Sequence, residues 1–206
     1  MAEILSYYAS LPLVEWLAVI SSVLYVILAA HNNRWCWPAA LVSTTLYTAI
    51  FYEFYLWSDS LLQVYYFGMA IYGWFCWRNN PKKANNETPL VVNEKAISFH
   101  ITAVLACAVL SVALGIFMDR VTPTHFPYLD AATTVFSLFA TYLVTQKVLE
   151  NWLYWIVIDL VSIYLYVEKD LLPTAFLFGF FTLFAGYGYL KWRKCLSTEQ
   201  LEPQYQ

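Results

Sequence analysis

Tyr72-Gly73-Trp74-Phe75-Cys76-Trp77-Arg78 closes one long apolar run, and Tyr187-Gly188-Tyr189-Leu190-Lys191-Trp192-Arg193 closes another, 115 residues later. Both open on Tyr-Gly, place a tryptophan five residues after that tyrosine and stop at an arginine. Upstream, Trp35 follows Asn33-Arg34 much as Trp152 follows Glu150-Asn151, at a spacing of 117. One small gap absorbs the difference between the two spacings. The echo predicts two copies of one structural unit.

Composition says what the units are made of. The chain is 61% hydrophobic, 19% aromatic and only 12% charged, with a mean hydropathy of +0.54. A soluble domain carries about 25% charged residues. So few charges cannot cover a surface facing water, and the solvent must be lipid. A spanning helix needs about 20 mostly apolar residues. Seven runs meet that need: 11–31, 35–54, 57–78, 97–118, 127–147, 151–168 and 171–192. The first lacks any Lys or Arg before Arg34 and exceeds the apolar core of a signal peptide, so it reads as a retained span. The stretch 79–96, rich in Asn and Lys and broken by Pro81, reads as a solvated loop, and 193–206 as a polar tail.

Charge then orients the bundle. Cytoplasmic loops carry excess Lys and Arg. Arg34, Arg78, Lys82, Lys83, Lys95, Lys147, Lys191, Arg193 and Lys194 fall on one side, against Arg120 and Lys169 on the other. The N-terminus is expected outside and the C-terminus in the cytoplasm of a bacterial inner membrane.

The echoed units are 11–78 and 127–192, which leaves 97–118 as a linker helix. Three helices joined directly to three more would place the second set upside down. One linking helix restores the orientation. The expected architecture is therefore an all-α integral membrane protein of seven transmembrane helices in 3+1+3 parallel repeats. SWEET sugar carriers share this plan, with a substrate site near the midplane between the repeats.

Polar groups at membrane depth usually face a cavity or a partner. Asp159 lies eight residues into the sixth span, about 12 Å from its start. Glu15, Asp59 and Asp130 sit nearer span ends, where snorkelling or a helix N-terminus accounts for them. Ser43 and Gln63 in one half and Asn151 and Asp159 in the other are expected to form a polar site between the bundles. Trp37, Tyr47, Trp155, Tyr164 and Tyr166 lie deeper than the interfacial belt, to which Trp35, Trp77 and Trp192 are assigned. Aromatic faces beside a carboxylate suit a cationic aromatic ring.

Other classes fall away. A net charge of −3 offers no basic surface for nucleic acid. The four cysteines form no CxxC pair and read as small buried hydrophobes, and three scattered histidines suggest no metal. There is no P-loop, HExxH or GxSxG. No cofactor and no enzyme activity are expected. A carboxylate pair of Asp130 and Asp159 is the weakest alternative, and a non-transporting sensor lacks a recognisable interaction domain.

Two stretches carry a family resemblance. Glu150-Asn151-Trp152-Leu153-Tyr154-Trp155-Ile156-Val157-Ile158-Asp159 resembles the ENWxxW signature of the PnuC nicotinamide riboside transporters. Ser58-Asp59-Ser60-Leu61-Leu62-Gln63-Val64-Tyr65-Tyr66, followed by Tyr72–Trp77, resembles the LLQxxY…YGWxxW pattern of the same family. The resemblance runs from about Glu15 to Arg193. It implies facilitated diffusion of a vitamin precursor without phosphate, trapped afterwards by a cytoplasmic kinase. It also implies substrate contact at Gln63, Trp155 and the polar position of the sixth span, and a homotrimer embedded in lipid. Some members carry Asn where this chain has Asp159, and relatives of the PnuT branch carry thiamine. Both solutes contain a cationic aromatic ring.

Overall fold

The computed structural model describes residues 13–53, 57–78, 91–121 and 126–201. Seven helices follow in order: α1 Leu13–Ala30, α2 Cys36–Glu53, α3 Trp57–Arg78, α4 Ile97–Val121, α5 Pro127–Thr145, α6 Asn151–Glu168 and α7 Leu172–Leu201. Eighteen residues at 1.5 Å each give α1 a length of about 27 Å, close to the hydrocarbon thickness. Strand structure among the described residues is limited to one bridge between Asn93 and Val148.

Three helices, Leu13–Ala30, Ile97–Val121 and Leu172–Ser197, are long and apolar enough to cross a membrane on hydropathy alone. The other four carry more Tyr, Trp, Ser and Thr, which hydropathy scores as near-neutral although they pack well inside a bundle. Helix α1 packs on α2 and α7, α2 on α3, α3 on α5, α5 on α6 and α6 on α7. Six helices thus close a ring, and α4 lies outside it against α5.

Two expected boundaries change. Helix α7 continues nine residues beyond Trp192, through most of the expected tail, because nothing from Arg193 to Leu201 breaks a helix. The loop is also less solvated than its composition suggested. Its residues 79–90 lie outside the described ones, but Val92 is fully buried. Asn93 N–H donates to Lys147 O at 3.0 Å, and Leu149 N–H donates to Asn93 O at 2.8 Å.

The buried core sits at one end of the bundle. Ala29, Ala30, Cys36, Trp37, Ala40, Ala70, Trp77, Val92, Val144, Leu149, Trp152, Ala185 and Trp192 form it. This corrects the expected place of Trp77 and Trp192. Both are fully buried, and Trp35 alone of the three is exposed, at 57%. Trp77 Nε1 donates to Val144 O and Thr145 O at 3.3 and 3.2 Å, and Trp192 Nε1 donates to Ala29 O at 3.1 Å. Buried indole N–H groups usually find such a partner, but Trp37 Nε1 and Trp152 Nε1 meet none among the described residues.

Trp37 meets Trp77 edge-on at 5.3 Å and 85°, and Trp152 meets Trp192 at 5.4 Å and 86°. Close approach of these rings requires glycine. A Cβ at Gly188 would lie 2.7 Å from the Trp152 indole, and one at Gly73 would collide with Trp37. The residue standing opposite Trp152 is therefore Trp37, not Trp35. A step of 115 without a gap relates Trp37 to Trp152, Gly73 to Gly188, Trp77 to Trp192 and Ala29 to Val144.

Candidate transport site

Buried polar residues recur along helices that are otherwise apolar. On α5, Ser137, Thr141 and Thr145 recur every fourth residue and are all buried. Thr141 Oγ1 donates to the Ser137 carbonyl at 2.8 Å, which satisfies its hydroxyl within the helix. On α6, Asp159 and Ser162 are the polar residues buried beyond the first turn. From α3, Tyr66 is bonded to the Ser137 side chain and within the electrostatic reach of Asp159 and Tyr166. Its neighbour Tyr65 donates to Leu138 O at 3.1 Å, tying α3 to α5.

Asp159 is 3% exposed. Its carboxylate forms no ion pair among the described residues. A carboxylate taken from water without a partner costs several kcal/mol.

The remaining sequence-derived candidates divide. Trp155 is half-buried and packs against the tryptophan core one turn before Asp159. Gln63 is half-buried on α3, one helical turn before Tyr66. Asn151 opens α6, fully buried, with Nδ2 donating to Val148 O at 2.6 Å and with an Oδ1 that meets no donor among the described residues. It lies about two turns from Asp159, towards the tryptophan end. Trp37 is part of that core and not of the central space. Ser43 is buried between α2 and α1, its hydroxyl directed at Ala18 O at 3.4 Å. Tyr47 stacks on Phe51 at 5.6 Å, and Tyr164 is half exposed with its ring against Phe126.

Asp130 fits the expected helix-end role, since it sits in the first turn of α5 and accepts from Lys169 Nζ at 2.9 Å. That pairing leaves it no part in a two-carboxylate centre. The side chain of Asp59 lies outside the described residues. All four cysteines are free, Cys36 and Cys107 buried and the other two partly so. Tyr66 and Ser137 escaped the sequence reading, although the four-residue recurrence of Ser137, Thr141 and Thr145 was a visible signal of a buried polar stripe.

An all-helical ring of membrane length around a polar centre is the plan of a membrane transporter. The comparisons place it further: residues 12–194 match the family described as nicotinamide mononucleotide transporter, and the chain belongs to that family. The nicotinamide riboside transporter PnuC of Escherichia coli (strain K12) is 27% identical, over 87% of this chain and 84% of its own. The riboflavin/roseoflavin transporter RibM of Streptomyces davaonensis is 24% identical, over 86% of this chain and 84% of its own. A crystal structure of the vitamin B3 transporter PnuC superposes with a TM-score of 0.73 at 23% identity, covering 88% of this chain and 81% of that one, and shows the shared fold. The matched relatives are transporters, not enzymes.

Proposed function

We propose that the protein is an inner-membrane facilitator for nicotinamide riboside, the solute named for several of its relatives. The named solute of these relatives carries the choice, and the buried carboxylate of Asp159 supports a solute with a cationic ring. A cationic pyridinium ring matches it. The phosphate of a mononucleotide would meet a buried like charge, and a neutral flavin would leave the carboxylate without a counter-charge. Gln63, Tyr66, Trp155 and Asp159 are the proposed contacts, with Asn151 at the inner margin of the path. Thiamine carries a cationic ring too and is the second reading.

Two three-helix units, 11–78 and 127–192, rock about the central site with 97–118 as the linker. The paired contacts at a step of 115 residues support this division. Movement is passive, and phosphorylation in the cytoplasm traps the solute. The basic loops support a cytoplasmic C-terminus and an external N-terminus. Helix α4, whose Ile101, Leu105 and Val109 face outward, offers a surface for lipid and for the proposed homotrimer.

Quenching of tryptophan fluorescence in detergent-purified protein tests the solute. Nicotinamide riboside, thiamine, riboflavin and nicotinamide mononucleotide are titrated in parallel. The riboside is expected to bind, and Asp159→Asn to weaken it by at least about tenfold. Binding of riboflavin or the mononucleotide alone, or full affinity in Asp159→Asn, would overturn the assignment.

A further inference from the structure

Lys147 is the least expected residue in the molecule. It follows the polar cap of α5, where the sequence counts it as a loop charge, yet it is 4% exposed. Its backbone is left-handed, at φ 55°, a conformation that suits glycine and that lysine seldom adopts. Its ammonium donates to Asn32 Oδ1 at 2.8 Å and lies 4.1 Å from the centre of the Trp77 ring. Asn32 stands 115 residues earlier, at the end of α1, and is left-handed too, at φ 54°. The bond therefore joins two equivalent points, one in each three-helix unit.

Several contacts around this bond cross between the units. Trp77 of the first reaches the last carbonyls of α5, and Trp192 of the second reaches the end of α1. Their rings lie 6.0 Å apart. Gln146 Nε2 donates to Tyr72 Oη at 3.1 Å, while His31 packs on Tyr187 at 5.6 Å. Those four residues are again two pairs at the same step. The end of the ring that the basic loops assign to the cytoplasm is thus sealed by contacts from both units.

We propose that Lys147 and Asn32 form a latch that holds the cytoplasmic end shut, and that the inward-open state requires the bond to break. Tryptophan packing and indole bonds alone would hold the units together in a fixed arrangement. A charged bond on the line between the units gives the seal a discrete contact to release. It also puts a positive charge across the exit, which any cationic solute must displace. The proposal rests on the protein being a transporter and is independent of the solute.

Cys36 is a native reporter. It is fully buried at the start of α2, within the tryptophan core and inside the electrostatic reach of Lys147. Its labelling by an impermeant thiol reagent is followed in inside-out vesicles, with Cys76, Cys107 and Cys195 replaced by serine. Asn32→Gly and Lys147→Gly each remove one side of the latch while placing glycine at a left-handed position, so the backbone is not strained. Each is expected to speed labelling by about tenfold, the scale of losing one charge-assisted bond, and the double variant to add nothing further. Asn32→Gly is the decisive arm, because it leaves the lysine chain in place. Cys107, kept as the single cysteine in a parallel background, reports general loosening. Unchanged labelling of Cys36 in Asn32→Gly, additive effects in the double variant, or an equal rise at Cys107 would overturn the latch. Binding of nicotinamide riboside is measured separately, and its absence would bear on the solute and not on this device.

Discussion

Thr44 and Asp159 occupy equivalent positions on α2 and α6, at the same step that relates Trp37 to Trp152, and both are buried. Thr44 is content: its hydroxyl donates to Ala40 O at 2.8 Å within its own helix. Asp159 has no such local outlet. At the other level of the ring the difference recurs, with Asn32 facing Lys147 across the midline. Contacts 115 residues apart match where tryptophan meets glycine, and differ where charge appears. Packing geometry demands the same solution twice, because the same ring must fit the same gap. A solute with one charged end does not present two equal faces, so the site that holds it has no reason to be symmetric.

The matched frame should break most severely, and equally, at its glycines. Gly73→Val and Gly188→Val are each expected to destabilise the protein by about 3 kcal/mol through overpacking against an indole. Gly68, Gly179 and Gly186 have open space where a Cβ would go, and alanine there should be nearly silent. Thermal unfolding in detergent compares all five. A tolerated Gly188→Val beside an unfolded Gly73→Val would show that the two units are not under the same constraint.

The unmatched positions come next. Asp159→Asn is expected to lose at least about tenfold in affinity for the riboside, or about 1.4 kcal/mol. Thr44→Val removes only a bond within one helix and should change affinity by less than about twofold. Titration of both variants with the same solute sharpens the contrast, and equal losses would refute it.

Smaller again are the indole bonds. Trp192→Phe should cost about 1 kcal/mol, since Ala29 O keeps its bond from Asn32 N–H. Trp77→Phe should lower the melting temperature further, because Thr145 O loses its bond from the indole. The least effect belongs to Lys169→Ala. Its pair with Asp130 is partly exposed, and such pairs contribute about 0–1 kcal/mol and weaken with salt. A melting curve at low and high salt checks it.

Much of this was legible early. Seven helices, their order and most of their ends follow from apolar run length and from the basic residues that interrupt it. The echo of Tyr72–Arg78 in Tyr187–Arg193 is visible because glycine and tryptophan are constrained together. Sequence alone points its partner to Trp35, since Asn-Arg-Trp and Glu-Asn-Trp look alike, and only packing distinguishes Trp37, which lies on Gly73, from Trp35 at the surface. Tryptophans near span ends suit a lipid interface on sequence alone, whereas packing buries Trp77 and Trp192.

Composition and apolar run length place the chain in lipid, count its spans and mark which rare polar groups lie deep. Those are local quantities, set by the free energy of moving each segment from water. Packing between helices settles which deep groups meet. It brought Tyr66 and Ser137 towards Asp159, drew Trp37 away into the core and buried Lys147 against Asn32. Each of those pairings joins residues on different helices, and the rotation of one helix against another is fixed by side-chain fit, which no single segment contains.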